Sequence, residues 1–182
     1  MRLVVTEFLT LDGVMEAPNE WSFPYFADDQ GQFKNDELFA SDAQLLGRVT
    51  YEGFAAAWPT MPDTGEFGER MNNMPKYVVS NTLNKAEWTN SHIIKGNVVD
   101  EIKKLKAQPG SDLLVAGSAN LVQFLIKNDL VDRYHLLVYP VVVGKGKRLF
   151  QEGTETKLKL VETKVFGSGV IAQFYEPDRD NK

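Results

Sequence analysis

The stretch that decides the fold covers residues 112–131 and reads Asp-Leu-Leu-Val-Ala-Gly-Ser-Ala-Asn-Leu-Val-Gln-Phe-Leu-Ile-Lys-Asn-Asp-Leu-Val. It begins with a short apolar run, residues 113–115, which is typical of a strand buried on both faces. Ser118 is a favourable N-cap, and apolar residues follow it at helical spacing. These are Leu121, Val122, Leu125 and Ile126. The stretch therefore predicts a strand, a glycine turn and a helix.

The turn between this strand and helix is a candidate phosphate-binding point. Ala116 and Gly117 allow a tight turn, which leaves unpaired backbone N–H groups and the positive end of a helix dipole at the end of the strand. Phosphates bind such places readily. Close packing of the helix on the sheet explains Gly117 equally well. One unit of this kind does not decide between the two explanations.

Composition limits the classes of function. The chain has 182 residues, 43% hydrophobic and 25% charged, which is typical of one globular domain. Its net charge of −5 gives no basic surface that would attract nucleic acid or an acidic membrane. The absence of cysteine excludes disulfides, thiolate catalysis and cysteine zinc sites. No signal peptide or membrane-spanning run is expected, so we predict a cytoplasmic protein without nucleic-acid or membrane partners.

Two further strand ends carry polar residues. Gly47, Arg48 and Thr50 follow a brief apolar run, and a helix is predicted over residues 54–58. Arg48 suits phosphate oxygens and Thr50 can donate its hydroxyl, although a surface salt bridge and a helix cap are the plainer alternatives. Residues 80–82, Ser-Asn-Thr, end a third strand and suit either a ribose phosphate or an ordinary turn. Convergence of several such ends at one sheet edge is typical of a nucleotide crevice.

A long irregular segment, residues 14–33, is rich in aromatic residues. Trp21, Phe23 and Phe26 suit stacking on a flat heterocycle, so this segment predicts a substrate flap, with a hydrophobic cover over the core as a compatible alternative. If a protein acid takes part, Asp12 at the end of the first strand is the first candidate and Asp29 the second. A turn residue and a solvated loop carboxylate are the respective alternatives.

The C-terminal third changes character. Residues 133–143 predict a long apolar strand, and residues 156–166 and 170–175 predict an antiparallel hairpin around a Gly-Ser-Gly turn. Strands alternate with helices before this region. We therefore predict an α/β fold with three layers: a mixed, mostly parallel sheet with helices on both faces and an antiparallel C-terminal hairpin. Residues 1–176 form the predicted single domain, and residues 177–182 a polar tail.

Several familiar sites are not supported. His92 and His135 are the only histidines and neither lies near a carboxylate cluster at ligand spacing, so no metal site is predicted. The sequence contains no Gly-x-Ser-x-Gly elbow, no P-loop and no three-glycine dinucleotide fingerprint. The three strand ends described above therefore carry the functional interpretation.

Five blocks in order resemble one known family. They are residues 9–13, 46–52, 76–83, 114–119 and 140–150, and together they span nearly the whole chain. The sequence resembles dihydrofolate reductase-like proteins related to the C-terminal reductase domain of the bifunctional riboflavin-biosynthesis enzyme RibD. The resemblance implies a dihydrofolate reductase-like fold, a homodimer, and NADPH, with NADH possible, as hydride donor.

The resemblance also implies roles for particular residues and a class of substrate. The substrate would be a small heterocycle or a ribosylamino-pyrimidine such as 5-amino-6-(5-phosphoribosylamino)uracil, in riboflavin biosynthesis. A non-catalytic protein that binds a nucleotide or pterin in the same cleft is the alternative. Many relatives have arginine where this chain has Asn81, which predicts modest discrimination between the two cofactors. The predicted cofactor-binding residues are Gly47, Arg48, Thr50, Ser80, Asn81, Thr82, Ala116, Gly117, Ser118, Ala119 and Asn120.

Overall fold

The computed structural model describes residues 1–180, which form eight strands and five α-helices. Three short 3-10 helices lie between them, at Pro18–Glu20, Phe23–Tyr25 and Trp58–Thr60. In chain order the main elements are β1 (Arg2–Thr10), α1 (Asp28–Phe39), β2 (Ser41–Gly47), α2 (Arg48–Ala57), α3 (Gly65–Asn73), β3 (Lys76–Val79), β4 (Ser91–Ile94), α4 (Val98–Lys106), β5 (Asp112–Val115), α5 (Ala119–Lys127), β6 (Arg133–Tyr139), β7 (Leu158–Val165) and β8 (Ile171–Pro177).

All eight strands belong to one sheet in the order β4-β3-β2-β5-β1-β6-β8-β7. The pairs from β4 to β6 are parallel, and β8 is antiparallel to both β6 and β7. The predicted mixed sheet, mostly parallel with an antiparallel C-terminal hairpin, is therefore confirmed. Helical crossovers create the parallel pairs, whereas a turn at Gly167–Gly169 is enough to join the two antiparallel strands.

Helices cover both faces of the sheet, as predicted. Side chains alternate along a strand, so Leu3 and Val5 of β1 belong to one core and Val4 to the other. Helices α4 and α5 cover the first core, and α1, α2 and α3 contribute to the second. A third, aromatic cluster lies over β6 and β8. The helical residues buried in the first two cores are Ile102, Leu105, Leu121, Val122, Leu125, Leu38, Tyr51 and Met71.

Three helices differ from the sequence predictions. Helix α1 begins at Asp28, inside the segment predicted to be irregular, so Asp28 and Asp29 lie in its first turn instead of in a loop. Two of its three buried residues, Gln30 and Glu37, are polar, so the sequence shows no apolar stripe. Helix α3 was not predicted. Its buried residues are Gly68 and Met71, so its sequence has no apolar stripe that would mark a helix. Helix α2 begins immediately after β2 rather than at residue 54.

The C-terminal strands also differ in length from the prediction. Strand β6 ends at Tyr139 instead of residue 143, because Pro140 has no N–H group to continue the ladder. Strand β8 extends to Pro177 and so takes in the first residue of the predicted tail. Arg179 then donates a hydrogen bond to the Val131 carbonyl at 3.0 Å, and residues 181–182 of the predicted tail lie outside the described residues.

Candidate functional site

The carboxyl ends of β2 and β5 touch at the same edge of the sheet. The Gly47 N–H donates a hydrogen bond to the Gly117 carbonyl at 3.1 Å. A Cβ atom on Gly47 would collide with the Ser118 side chain, and one on Gly117 would lie 2.8 Å from Thr50 Oγ1. Gly117 also has a φ of +100°, a conformation that L side chains rarely adopt. The predicted convergence of these two strand ends is confirmed, while cofactor binding by their residues stays a prediction.

Two helices begin at this edge, so their unpaired N–H groups and positive dipole ends lie together. Helix α2 begins directly after Gly47, and α5 begins at Ala119 after the turn of Ala116 and Gly117. The Ser118 side chain makes no capping hydrogen bond, although the residue holds the N-cap position. Asn120 is exposed in the first turn of α5. A cradle with this geometry suits a phosphate or pyrophosphate.

Arg48 stands at the start of α2 and already has an acidic partner. Its Nη1 atom lies 2.7 Å from Glu52 Oε2, one helical turn away, and both side chains are about half exposed. An exposed pair of this kind contributes little to stability, so the guanidinium can exchange Glu52 for a phosphate at small cost. Both sequence interpretations of Arg48, as a salt-bridge residue and as a phosphate ligand, are compatible with this position.

The third predicted strand end follows β3. It lies beside the carboxyl end of β2, because β3 pairs with β2. The Ser80 hydroxyl accepts hydrogen bonds from the backbone N–H groups of Thr82 at 3.2 Å and Leu83 at 2.9 Å, which closes a local turn. Asn81 is exposed at the tip of this turn. The side chain of Ser80 therefore shapes the turn, and Asn81 is the group presented to solvent.

The aromatic segment divides into an anchored part and an exposed part. Trp21 is buried, donates from Nε1 to the Glu16 carbonyl at 3.0 Å, and packs edge-on against Tyr139 with ring centroids 5.3 Å apart. Phe23 is 70% exposed and Phe26 is 51% exposed. Trp21 thus fixes the segment on the aromatic cluster, while Phe23 and Phe26 remain available for a ligand. Substrate binding by all three residues stays a prediction.

The two candidate acids hold loops in place. The Asp12 carboxylate accepts hydrogen bonds from the Thr10 hydroxyl at 2.6 Å and from the Gly144 and Val143 N–H groups at 2.9 and 3.3 Å. The Thr10 bond, aided by the two backbone bonds, lowers the pKa of Asp12, which disfavours it as a proton donor. Asp29 accepts from the Gly167 N–H at 2.9 Å and so joins α1 to the terminal hairpin.

A buried ionic cluster lies between α1 and the sheet and was not predicted. One oxygen of Glu37 lies 2.6 Å from His135 Nδ1, and the other accepts a hydrogen bond from the Thr6 hydroxyl at 3.0 Å and contacts Lys34. Burial alone would raise the pKa of Glu37, but Lys34 and His135 overcome it and lower that pKa to about 2. The polar residues of α1 offered no sequence signal for this cluster.

Glu7 is the second buried acid that sequence reasoning missed. It is 7% exposed, and its Oε1 atom is buried with no hydrogen-bond partner among residues 1–180. Burial raises the pKa of Glu7 to about 8, although the positive charge of Lys34 acts in the opposite direction. The signal was available, because a glutamate inside an otherwise apolar strand is unusual. An unpaired, protonated carboxyl at a strand interior is typical of functional sites.

The described residues offer neither a metal-binding cluster nor a membrane-spanning helix. Among residues 1–180, no group of three or more histidine, cysteine, aspartate or glutamate side chains is arranged to hold a metal ion. Over the same residues, no helix combines the length and apolar character needed to cross a membrane.

The sheet order and the site define a class of protein, the dihydrofolate reductase-like fold. Dihydrofolate reductase from Enterococcus faecalis, solved with NADP(H), is 19% identical to this chain, with a TM-score of 0.65. The superposition covers 97% of this chain and 96% of the reductase. A putative riboflavin biosynthesis protein from Shewanella sp. PV-4 is 21% identical to this chain, with a TM-score of 0.78. The superposition covers 98% of this chain and 100% of the Shewanella protein.

The family within that class follows from sequence. A profile of the RibD C-terminal domain matches residues 2–172, and the chain belongs to that family. The uncharacterized protein YyaP of Bacillus subtilis (strain 168) is 34% identical over 179 residues, which cover 96% of this chain and 94% of YyaP. The family predicted from the five sequence blocks is therefore confirmed.

The raised pKa of Glu7 predicts a pH-dependent stability. Between its ordinary pKa of 4.5 and its folded pKa of about 8, the unfolded chain releases the Glu7 proton while the folded chain retains it. Stability is therefore lost as the pH rises through this window, by up to roughly a few kcal/mol. Urea unfolding of the parent and of Glu7→Gln should show similar stability near pH 4 and a growing advantage for the variant up to pH 8. Parallel pH profiles would contradict the shift.

Proposed function

We propose that the chain is a reductase of the RibD C-terminal type that uses NADPH or NADH to reduce a small heterocyclic or ribosylamino-pyrimidine substrate. The observation that carries this proposal is the contact between Gly47 and Gly117–Ser118 beside the N-terminal ends of α2 and α5. The unpaired backbone N–H groups and the dipoles of these two helix ends fit a pyrophosphate. Membership of the RibD C-terminal domain family supports the same conclusion.

The residues of this chain divide the work of binding. Gly47, Gly117 and the first turn of α5 would hold the pyrophosphate, and Arg48 and Thr50 would contact its oxygens from α2. The turn at Ser80–Thr82 would lie beside the adenosine ribose. When bound, the reduced nicotinamide supplies a hydride, and the protein supplies position and electrostatics.

The aromatic segment would hold the substrate. Phe23 and Phe26 present exposed rings that suit a flat heterocycle, and Trp21 fixes the segment that carries them. A cavity of about 510 Å³ adjoins this segment and contains Lys145 beside Glu16 and Glu20. Lys145 is the cation among the residues that line this cavity, and it would pair with the phosphate of a ribosylamino-pyrimidine.

Turnover separates this proposal from its alternative, a non-catalytic nucleotide- or pterin-binding protein. Oxidation of NADPH and NADH is measured with 5-amino-6-(5-phosphoribosylamino)uracil and, in parallel, with dihydrofolate. Steady oxidation that depends on one of these substrates would establish the reductase. Tight cofactor binding without oxidation would favour the binding protein, and absence of cofactor binding would overturn the proposed site.

The contact expected of Arg48 predicts a loss of cofactor affinity. Arg48→Ala should weaken binding of the reduced dinucleotide by about 1.5–3 kcal/mol, because a charge-assisted hydrogen bond to phosphate is removed. Glu52→Gln is the matched control, since it removes the present partner of Arg48 and leaves the guanidinium free. Titration by nicotinamide fluorescence compares the three proteins. Unchanged affinity in Arg48→Ala would show that the phosphates lie elsewhere.

The exposed Asn81 predicts modest discrimination between NADPH and NADH. Asn81→Arg should raise the preference for NADPH, because a guanidinium pairs with the additional phosphate. Lys76 cannot take this role, since its ammonium group is buried and donates to the carbonyls of Asn72, Met74 and Thr89. The four dissociation constants of parent and variant test the prediction. A strong NADPH preference in the parent would implicate the exposed Lys85 instead.

We also propose that the protein is a homodimer, and that the edge strand β7 and not the apolar strand β6 forms its interface. Strand β6 lies between β1 and β8, so its apolar residues are already covered within the chain. Strand β7 is the edge and is exposed from Lys159 to Val165, with Leu160 52% and Val165 70% exposed. Exposed apolar side chains on an edge strand, here set among Lys159, Glu162 and Lys164, are often paired or covered.

Light scattering tests the dimer. We expect a mass near twice the 20.5 kDa of the chain at micromolar concentration, and a shift toward the single-chain mass in Leu160→Glu, because a charge on an apolar interface opposes association. A parent mass near 20.5 kDa would show that β7 faces solvent. If the Leu160→Glu variant is still a dimer, the interface does not include β7.

A further inference from the structure

Glu7 lies where β1 loses one of its two neighbours. The last pair between β1 and β5 joins Val5 to Val115, while β1 continues beside β6 with Glu7 opposite Leu136. Glu7 is therefore about 7 Å beyond the last β5 pair, at the level where the chain turns away through Gly117. This is the same sheet edge at which Gly117 meets Gly47. The pairing of β1 with β5 ends at Val5, so the backbone of Glu7 borders an unpaired stretch at this sheet edge, which we call the opening between β1 and β5.

The surroundings of Glu7 offer it no partner. Alternation along β1 places it on the face of Val5 and Leu9, which is covered by α5. Helix α5 buries only apolar residues there, and on β6 the buried neighbours on this face are Leu136 and Tyr134, whose own pKa is raised by burial. The charges that act on Glu7 belong to Lys34 and Glu37 of α1, on the other face of the sheet. These two side chains already contact each other.

We propose that Glu7 is the proton donor of this reductase and presents its carboxyl group to the substrate at the opening between β1 and β5. The assignment rests on the proposed function. Its basis is geometric: an acid that is 93% buried, with an oxygen that no described residue satisfies, borders the strand end where the cofactor cradle lies. A buried polar atom without a partner costs stability, and a ligand that accepts a hydrogen bond from it removes that cost.

Glu7 would supply the proton that accompanies hydride transfer to the substrate. The carbon of a C=N or C=O bond in the substrate accepts the hydride of the reduced dinucleotide, and the nitrogen or oxygen of that bond accepts the Glu7 proton. The Glu7 O–H bond breaks, the new N–H or O–H bond forms, and the carboxylate regains a proton from water after product release. Because burial keeps the carboxyl protonated near neutral pH, the donor is in the correct state before the substrate binds.

The other acids near the site are occupied. Asp12 is held as a carboxylate by the Thr10 hydroxyl and two backbone N–H groups, and Asp29 joins α1 to Gly167. Glu37 is paired with Lys34 and His135. Glu7 is the acid of this region with a buried oxygen that has no partner within residues 1–180.

The first test observes the proton directly and needs no turnover. Infrared difference spectra of the parent minus Glu7→Gln should contain the carbonyl stretch of a protonated carboxyl at pH 7, and this band should disappear as the pH rises past about 8. Addition of oxidised NADP⁺ together with 5-amino-6-(5-phosphoribosylamino)uracil should shift the band, because the Glu7 carboxyl then donates a hydrogen bond to the bound ligand. An ionised Glu7 at pH 7, or a band that is unmoved by bound ligands, would overturn the assignment.

The second test measures hydride transfer in a single turnover with the substrate that supports oxidation. Glu7→Gln should slow this step about 100-fold or more, because a positioned general acid usually accelerates proton transfer by at least this factor. It should also abolish the loss of rate that we expect of the parent above about pH 8, where Glu7 loses its proton. Glu7→Asp, which keeps an acid on a shorter side chain, should retain part of the rate and a pH-dependent limb.

Controls separate this assignment from folding and from the proposed function. Glu37→Gln removes a neighbouring buried carboxylate whose charge helps to raise the pKa of Glu7, so it should keep the infrared band and the alkaline loss of rate but move both to lower pH. Normal cofactor binding with an unchanged rate and pH profile in Glu7→Gln would overturn the role of Glu7 alone. Failure of the parent to bind either dinucleotide would overturn the proposed function and this role together. If Glu7→Gln does not fold, Glu7→Leu, which removes the carboxyl group from a face of β1 that packs on an apolar core, replaces it in both measurements.

Discussion

The structure depends on the close approach of two strand ends, those of β2 and β5. The Gly47 N–H reaches the Gly117 carbonyl at 3.1 Å, and a Cβ atom at either glycine would strike a neighbouring side chain. Because both strands turn into helices at this point, the contact also sets where α2 and α5 begin. The same constraint that allows close packing therefore concentrates unpaired N–H groups and positive helix ends in one place. Packing and anion binding are here two results of one geometry, which is why Gly117 alone could not distinguish them.

Two glutamates show how the sheet separates charge states. Glu37 and Glu7 are almost equally buried, yet the pKa of Glu37 is lowered to about 2 and that of Glu7 is raised to about 8. The difference comes from partners, since Lys34 and His135 lie against Glu37, whereas the face of β1 that carries Glu7 packs on an apolar core. Neighbouring acids driven to opposite protonation states are typical of sites that move protons. The ionic cluster keeps its own charge balanced on the α1 face and leaves Glu7 uncompensated on the other.

Sequence patterns predicted the elements whose burial follows a regular period. The apolar run of β5 and the amphipathic α4 and α5 were clear, and so was the alternation of the terminal hairpin. Helices α1 and α3 were not, because α1 buries Gln30 and Glu37 and α3 buries a glycine. Their buried faces are defined by hydrogen bonds and close contacts instead of by apolar residues, so no hydrophobic period marks them. The length of β6 was overestimated for a related reason: apolar residues continue past Pro140, but the hydrogen-bond ladder does not.

By itself the sequence determined the family, the mixed sheet and the three strand ends at which polar residues follow buried strands, because these features are local and repeat at short spacing. Only the tertiary structure decided which of those residues meet. It joined Gly47 to Gly117 across 70 positions of the chain, bound Asp12 into a turn with Val143 and Gly144, and left Glu7 without a partner. The physical reason is that burial and pairing, which set the protonation of an acid, depend on residues distant in sequence. A glutamate in a strand looks the same in sequence whether a lysine or a leucine lies against it.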